Sequence, residues 1–191
     1  MDYIITALIS YLFGSIPFGY IFTKIFLKKD IRDVGSGNIG ATNVLRTGNK
    51  RLGYLTLILD ILKAVIPVIY VKLYYPDLIF ISALCAFLGH LFPVWLKFDG
   101  GKGVATFVGI LISINIYYAL IFGIIWVLTF IISKYSSLSS LIASISIPIY
   151  ILIFGNGNFI FFTIMFVLIF YTHRENIKRL INKEETKSKI Y

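Results

Sequence analysis

The sequence predicts an all-α integral membrane protein, and three observations support this fold class. Of the 191 residues, 58% are hydrophobic and 14% are charged, whereas charged residues make up roughly a quarter of an average soluble domain. Apolar runs of about 18 residues or more are typical of membrane-spanning helices, and three occur at 3–27, 55–75 and 78–96. The chain also lacks the alternation of apolar and polar residues that transmembrane barrel strands require.

Breaks in hydrophobicity divide the chain into about seven helices within a single domain over 1–191. Polar or glycine-rich runs separate the helices, and Pro17, which follows Gly14 and Ser15, predicts a kink in the first one. The predicted helices lie near 3–27, 54–75, 78–97, 104–115, 117–132, 141–155 and 158–173, and a basic tail follows at 174–191.

The stretch 104–132 allows two arrangements. It is too long for one comfortable span, and its two halves are short at about 1.5 Å per residue against a hydrocarbon core of about 30 Å. Asn115 at its middle predicts a break. The stretch therefore forms either two tilted passes or a re-entrant hairpin.

The distribution of charge predicts the orientation in the membrane. If 104–132 crosses and returns, 16 of the 18 lysines and arginines lie on one face, and the opposite loops "YYPD" and "GNGN" contain none. The positive-inside rule then places the N-terminus outside and the C-terminus in the cytoplasm. This distribution accounts for the net charge of +9, and we expect no nucleic-acid partner. The single cysteine, Cys85, lies in an apolar run, so we expect neither a disulfide framework nor a metal cluster.

The run "GSGNIGATNVLRTGN" at 35–49 is the first candidate anion site. Its glycines allow positive φ angles and close approach of the backbone, so that successive N–H groups converge on an anion. Arg46 adds a guanidinium fork suited to phosphate. The neutral donors of the run are Ser36, Asn38, Thr42 and Asn43. The alternative is a flexible loop with a solvated arginine.

The run "FDGGKGVAT" at 98–106 is the second candidate. Gly100, Gly101, Lys102 and Gly103 lead directly into an apolar helix that begins near Val104. Free backbone N–H groups and the positive end of the helix dipole would then lie beside the lysine, which favours anion binding. The spacing is not that of a Walker A loop. Glycine turns between helices are common, so this run alone is weak evidence for an anion site. It becomes stronger evidence together with the run at 35–49.

Two further polar runs lie on the same face. The run "KYSSLSSL" at 134–141 is a hydroxyl-rich turn, for which helix capping by serine is the alternative. In "HRENIKRL" at 173–180, His173 and Asn176 are three residues apart and share one face of a helix. The alternative there is an interfacial basic helix that binds lipid headgroups.

Two charges lie inside a span, Asp60 and Lys63, at positions i and i+3 of the second helix. Charges within a membrane are costly and are usually paired and functional. These two lie two to three turns from the cytoplasmic end, so we expect them to support the site from below. His90, near the end of the third helix, is expected to be an ordinary interfacial histidine.

These runs, in this order, resemble the bacterial membrane glycerol-3-phosphate acyltransferases that use acyl phosphate as donor, the PlsY family. Each glycine loop is weakly specific, but the ordered set is highly specific and spans almost the whole chain. The matching stretches are "GSIPFGYI" at 14–21, "DIRDVGSGNIGATNVLR" at 30–46, "LDILK" at 59–63, "GHLFPVWLKFDGGKGVAT" at 89–106, "YSSLSS" at 135–140 and "HRENIKRL" at 173–180.

The resemblance implies a compact seven-helix enzyme of the bacterial inner membrane, with its active site at the cytoplasmic face and no metal or coenzyme. Its partners would be acyl phosphate, glycerol 3-phosphate and membrane lipid, and the residues specify no protein partner. The family's essential serine and arginine correspond to Ser36 and Arg46, and its phosphate-binding loop corresponds to Gly100–Gly103. Its third motif contributes a serine, a histidine and an asparagine, which correspond to Ser137, His173 and Asn176.

The chain departs from the family pattern at three places. The family's "K-G" after the aspartate of the second helix reads Lys63-Ala64, a small change that we expect to be tolerated. The residue between Phe98 and Gly100 is usually basic in the family but is Asp99 here, which would weaken phosphate attraction locally. The tail's usual "G-x-E" appears as "KEE" at 183–185. Glu185 keeps the acid, and no structural role is carried over to Lys183.

The reaction implied is acyl transfer to the sn-1 hydroxyl of glycerol 3-phosphate, giving lysophosphatidic acid and phosphate. Acyl phosphate is already activated, so positioning and stabilisation of the oxyanion suffice, with donors from Ser36, Asn38, Asn43 and the loop amides. His173 is either the general base or an orienting group, in which case a phosphate oxygen takes the proton. A small transporter or channel for an anionic solute is the alternative, but such proteins carry polar residues at the midplane. A lipid-binding scaffold would not need neutral donors among glycines.

Overall fold

The computed structural model describes residues 3–155 and 157–188, which form ten α-helices joined by loops and short 3₁₀ turns. The chain divides into two compact units between Ile114 and Asn115. The helices of the first unit are α1 (Tyr3–Gly14), α2 (Phe18–Phe26), α3 (Ala41–Leu45), α4 (Lys50–Tyr74), α5 (Ile79–Leu91) and α6 (Val104–Ile114). Those of the second are α7 (Ile116–Ser133), α8 (Ser136–Phe154), α9 (Phe159–Thr172) and α10 (Arg174–Ile181).

Helices α1 and α5 pack closely in the first unit because small residues line their contact. A Cβ on Gly14 would overlap the backbone carbonyl of Ala86, so only glycine allows this approach. The hydroxyls of Ser10 and Ser82 hydrogen-bond across the same contact at 2.8 Å. The two helices are thus held by backbone proximity and a buried polar pair.

The first predicted segment is broken between α1 and α2, as Pro17 indicated. The break exposes backbone groups inside the membrane region, where each needs a partner. Lys63 of α4 donates from Nζ to the carbonyl of Ile16 at 2.7 Å. The indole N–H of Trp95 donates to the hydroxyl of Ser15 at 2.9 Å. Side chains from two other elements therefore stabilise the break.

Helix α6 is unusually short and packs along α4. Its 11 residues extend for about 16 Å at 1.5 Å per residue, roughly half of a 30 Å hydrocarbon core. Its last carbonyls, those of Ser113 and Ile114, accept hydrogen bonds from Lys72 Nζ at 2.8 and 3.1 Å. This cation satisfies carbonyls that the end of a helix leaves unpaired.

The loops before α3 and α6 share a small hydrophobic core. Its buried members are Ile31, Ile39, Val44, Leu52 and Leu96. Leu96 comes from the 3₁₀ turn that precedes the glycine loop, Ile31 and Ile39 come from the loop that follows α2, and Val44 comes from α3. This core fixes the two candidate anion loops to one another.

In the second unit, α8 packs against both α7 and α9. The indole N–H of Trp126 donates to the Ser140 hydroxyl at 3.1 Å, and the rings of Tyr118 and Phe162 meet edge to face with centroids 5.4 Å apart. Helix α10 follows α9 at a bend of 62° located at His173. The break expected at Asn115 is present, and its side chain caps α7 by accepting the Tyr117 N–H at 3.0 Å.

Each of the seven predicted segments has a helical counterpart, and the all-α membrane class is confirmed. Among the described residues, five helical stretches are long and apolar enough to cross a membrane, and the bent pair α9 and α10 makes a sixth. The count of seven stays a prediction. Two boundaries were wrong by five residues or more. Helix α8 begins at Ser136 and not near 141, because hydropathy undervalues its buried serines. Helix α5 ends at Leu91 and not near 97, because Pro93 and a 3₁₀ turn at Val94–Leu96 follow it.

Candidate active site

The loop that follows α2 begins with a fixed turn. Asp30 caps a 3₁₀ turn at Ile31–Asp33, accepting the Arg32 backbone N–H at 3.0 Å and its guanidinium at 2.7 Å. Hydrogen bonds from the Arg32 side chain lower the pKa of the Asp30 carboxyl to about 2. The turn therefore keeps its ion pair throughout the neutral range.

Asn43 organises the rest of this loop. Its side chain is 2% exposed. Its amide donates to the carbonyls of Ile31, Val34 and Asn38 at 3.1, 2.8 and 2.8 Å. Its oxygen accepts the Ser36 N–H at 3.0 Å. These bonds revise the expectation that Asn43 binds substrate, because its donors already have partners within the loop.

Ser36 and Arg46 lie close together on the surface of this loop. Ser36 is exposed and is flanked by Gly35 and Gly37, which have φ angles of 55° and 72°. A Cβ on Gly35 would lie 3.0 Å from Cδ and 3.5 Å from Nη1 of Arg46, so the arginine side chain extends over this glycine. Thr42 is also exposed, in the first turn of α3.

Asn38 shares the scaffold role in part. Its Oδ1 accepts the Gly40 N–H at 2.8 Å, and its own carbonyl accepts from Asn43. The loop thus places two asparagines in its framework and leaves a hydroxyl and a guanidinium at its surface.

The glycine loop before α6 uses its amides differently from the prediction. The N–H groups of Gly100 and Gly101 donate to the carbonyls of Leu91 and His90 at 3.1 and 3.0 Å. They complete the C-terminal end of α5 and do not point at a ligand. The donors that an anion could use are instead those of the first turn of α6, where a helix leaves its N–H groups without intrahelical partners. Lys102 lies just before this turn and is half-buried.

A buried ion pair underlies this region. Lys63 Nζ and Asp60 Oδ1 are 2.8 Å apart, with 2% and 3% of their side chains exposed. Lys63 also reaches the break between α1 and α2, at Ile16. His90 Nδ1 lies 3.9 Å from the same Asp60 oxygen. The expectation of an interfacial His90 is therefore wrong, because its side chain is 3% exposed and packs inside the unit.

In the second unit, Glu185 gathers the polar residues of α8 and α10. Its Oε1 accepts from the Ser137 hydroxyl at 2.8 Å and from the Asn176 amide at 2.7 Å. Its Oε2 accepts from Arg179 Nε at 2.8 Å. The structure thus brings Ser137 and Asn176 together through a residue that sequence reasoning noted only as a retained acid. Nothing in local spacing links Glu185 to a serine 48 positions earlier.

The charge of Glu185 is favoured by these contacts. Burial opposes its ionisation, but the hydrogen bonds from Arg179, Asn176 and Ser137 outweigh it, so the pKa of the Glu185 carboxyl is lowered. The tail that carries it is further held where the Ser188 N–H donates to the Lys134 carbonyl at 2.9 Å.

The serines of the run at 134–141 lie in the first turns of α8 and do not form a separate turn. The N-cap residue, Tyr135, makes no side-chain cap hydrogen bond. The hydroxyls of Ser139 and Ser140 donate back to the carbonyls of Tyr135 and Ser136 at 2.8 and 2.9 Å. Capping by serine, the alternative considered for this segment, is therefore not what the serines do.

His173 is buried at the bend between α9 and α10. Its Nδ1 lies 2.8 Å from the carbonyl oxygen of Ile169. A carbonyl only accepts, so the hydrogen bond requires the proton to be on Nδ1. The unprotonated, basic nitrogen of the neutral ring is then Nε2.

The chain is similar to known proteins over nearly its whole length. The family model described as glycerol-3-phosphate acyltransferase matches residues 4–183. A glycerol-3-phosphate acyltransferase from Pelagibacter ubique (strain HTCC1062) is 73% identical over 191 residues, 100% of both chains. The chain belongs to the glycerol-3-phosphate acyltransferase family.

Other relatives of this acyltransferase are more distant but cover nearly as much of it. The protein of the same name from Rhodopseudomonas palustris (strain HaA2) is 50% identical over 98% of this chain and 95% of its own. The crystal structure of PlsY (YgiH), an integral membrane glycerol 3-phosphate acyltransferase in its glycerol 3-phosphate form, matches with a TM-score of 0.91. It is 37% identical and covers 97% of this chain and 94% of its own. The resemblance and the fold class are thereby confirmed.

We predict that removing one charge of the buried ion pair destabilises this acyltransferase more than removing both. Lys63→Met leaves the Asp60 carboxylate buried without its cation, which costs about 3 kcal/mol of unfolding free energy. Adding Asp60→Asn removes the stranded charge and recovers part of the loss. Denaturant unfolding in detergent measures both, with the exposed Lys187→Met as control. Equal or greater loss in the double variant would contradict the pairing.

The lowered pKa of Glu185 predicts a pH-dependent contribution to stability. A carboxyl with a depressed folded pKa stabilises the fold above its unfolded pKa of about 4.3, and the contribution is lost as the pH falls through the folded value. Thermal unfolding of wild type and Glu185→Gln is therefore expected to differ by a constant amount near neutrality and to converge in acid. Glu184→Gln, an exposed neighbour, is the control. A difference that persists below the folded pKa would sink the charge assignment.

Proposed function

We propose that this chain transfers a fatty acyl group from acyl phosphate to the sn-1 hydroxyl of glycerol 3-phosphate, releasing lysophosphatidic acid and phosphate. The supporting observation is the likeness to PlsY, whose two matching crystal structures are a glycerol 3-phosphate form and a lysophosphatidic acid form. These are the acceptor and the product of one acyl transfer. The choice of donor rests on the motifs that resemble the acyl-phosphate-dependent family.

The reaction takes place at the cytoplasmic face of the bacterial inner membrane, with the N-terminus outside. The orientation rests on the clustering of lysines and arginines in the loops that carry the candidate residues. Both substrates are soluble in, or accessible from, that side: glycerol 3-phosphate is charged, and the acyl phosphate has an anionic headgroup and an apolar tail.

Two phosphate-bearing substrates call for two cationic regions, and the first unit contains two. One is the loop surface with Ser36 and Arg46, where the guanidinium provides a fork for phosphate oxygens. The other is the start of α6 beside Lys102, where unpaired N–H groups and the helix dipole favour an anion. We assign glycerol 3-phosphate to the start of α6 and the acyl phosphate to the loop.

The loop is suited to stabilise the charge that develops on the acyl carbonyl oxygen. Asn43 fixes the path of the backbone, so that the Ser36 hydroxyl is held in place before substrate arrives. Donors that need no rearrangement stabilise an oxyanion most effectively. Asn43 acts here as a positioning residue, and Ser36 and Arg46 are the groups that touch substrate.

The chemical step needs one bond to form and one to break. The glycerol sn-1 oxygen attacks the acyl carbon, and the carbon–oxygen bond to phosphate breaks with its electron pair leaving on phosphate. The hydroxyl proton passes to His173 Nε2 or to a phosphate oxygen. The hydrogen bond from His173 Nδ1 to Ile169 makes Nε2 the basic nitrogen of the neutral ring, which is the nitrogen suited to orient the hydroxyl in either case.

Ser137 and Asn176 take part through their shared partner. Glu185 fixes both side chains, so we assign them to a pre-shaped polar cluster within the second unit. His173 lies one helical turn from Asn176. The two residues therefore belong to the same face of the bend, as their spacing indicated.

The test is transfer of acyl groups to labelled glycerol 3-phosphate by purified protein, with acyl phosphate and acyl-coenzyme A compared side by side. We predict lysophosphatidic acid from acyl phosphate alone. Arg46→Ala is expected to lower kcat/KM by about 100-fold or more, as loss of a charge-stabilising group does. Arg51→Ala, an exposed arginine at the start of α4, is the matched control and is expected to retain activity.

A second variant separates the two roles of His173. If the imidazole is an obligatory base, His173→Gln abolishes turnover even at saturating substrate. If it orients the hydroxyl, turnover persists and KM for glycerol 3-phosphate rises. No product from either donor, with folded wild-type protein, would refute the proposed reaction and favour transport of an anionic solute.

A further inference from the structure

The glycine loop is folded back onto the last turns of α5. The Gly101 N–H donates to the backbone carbonyl of His90 at 3.0 Å, and the Gly100 N–H donates to that of Leu91 at 3.1 Å. These two bonds connect the loop directly to the last turn of the helix. Lys102 and the first turn of α6 follow immediately, so their place depends on this connection.

The side chain of His90 makes a second contact with the same glycine. A Cβ on Gly101 would overlap the imidazole Nε2 and would lie 2.7 Å from Cε1 and 3.0 Å from Cδ2. The φ angle of Gly101 is not among the positive ones found in the chain, unlike that of Gly103 at 82°. Glycine is therefore required at position 101 by the space that the ring leaves and not by backbone conformation.

On the side away from the loop, the ring packs beside the buried ion pair without a hydrogen bond to it. Its Nδ1 lies 3.9 Å from Asp60 Oδ1. Asp60 is paired with Lys63, which donates a hydrogen bond to the carbonyl of Ile16. The three side chains are no more than 3% exposed. Side chains in so closely packed an interior have little room to move, so the ring cannot withdraw from the loop without disturbing this network.

We propose that His90 is a positioning residue for the acceptor substrate: backed by Asp60 and Lys63, its ring sets the place of the glycine loop, and so of Lys102 and the first amides of α6. This inference rests on the proposed function, in which the phosphate of glycerol 3-phosphate binds there. His90 does not contact substrate. It acts on affinity for the acceptor and leaves the donor site in the loop after α2 unchanged.

A double-mutant cycle between positions 90 and 101 tests the contact. Gly101→Ala drives a methyl group into the ring, and we predict a rise of about tenfold or more in KM for glycerol 3-phosphate, with KM for acyl phosphate unchanged. His90→Ala removes the support and raises the same KM severalfold. In the His90→Ala background, Gly101→Ala is expected to add less than about twofold, because the methyl group then has space.

Gly123→Ala is the matched control, since a Cβ at Gly123 in α7 meets nothing within 4 Å. Equilibrium binding of glycerol 3-phosphate without donor is measured on the same variants and is expected to rank them in the same order. If Gly101→Ala fails to fold, recovery of folded protein in the double variant reports the same rescue.

Two results would overturn the inference. One is an effect of Gly101→Ala that is the same with and without His90. The other is His90→Ala with wild-type KM and binding. Failure of the proposed function has a different signature, because the wild-type protein would then form no lysophosphatidic acid, whether or not it binds glycerol 3-phosphate. Binding that still follows the predicted ranking would uphold the role of His90 even if acyl phosphate is not the donor.

Discussion

Where a helix is interrupted inside a membrane, the freed backbone N–H and C=O groups need hydrogen-bond partners from the protein, because the hydrocarbon supplies none. The helices of this chain are interrupted at several places, and long polar side chains form hydrogen bonds with the backbone groups that are left unpaired there. Lys63 donates a hydrogen bond to the carbonyl of Ile16 at the break between α1 and α2, and Lys72 donates to the last carbonyls of α6. Two of the lysines that lie away from the basic loops thus have structural roles, and one of them is neutralised by a buried carboxylate.

The loops that carry the candidate catalytic groups follow the same constraint. Asn43 satisfies three carbonyls and one N–H in the loop after α2, and Glu185 collects donors from α8 and α10. Asn43 thus takes the place of backbone partners that a helix would supply, whereas Glu185 holds three side chains together. The consequence for function is rigidity: the groups left at the surface, such as Ser36 and Arg46, are held by a framework that is complete without substrate.

The sequence was sufficient for what depends on composition and local spacing. Apolar runs located all seven segments, Pro17 located a break, and the i, i+3 spacing of Asp60 and Lys63 predicted their pairing. It was insufficient wherever partners are distant along the chain. Neither the hydrogen bonds of Asn43 nor the burial of His90 follows from neighbouring residues, because the groups that surround each side chain come from segments outside its own helix.

The central claim is that the loop after α2 has its functional shape before any substrate binds. Amide hydrogen exchange across residues 31–40, measured without substrate, tests it most directly, because the Ser36 N–H is donated to Asn43. We predict slow exchange in wild type and exchange about 100-fold faster in Asn43→Ala, as expected when a protecting hydrogen bond is lost. Fast exchange in the substrate-free wild type, with protection appearing only when glycerol 3-phosphate or acyl phosphate is added, would contradict the claim.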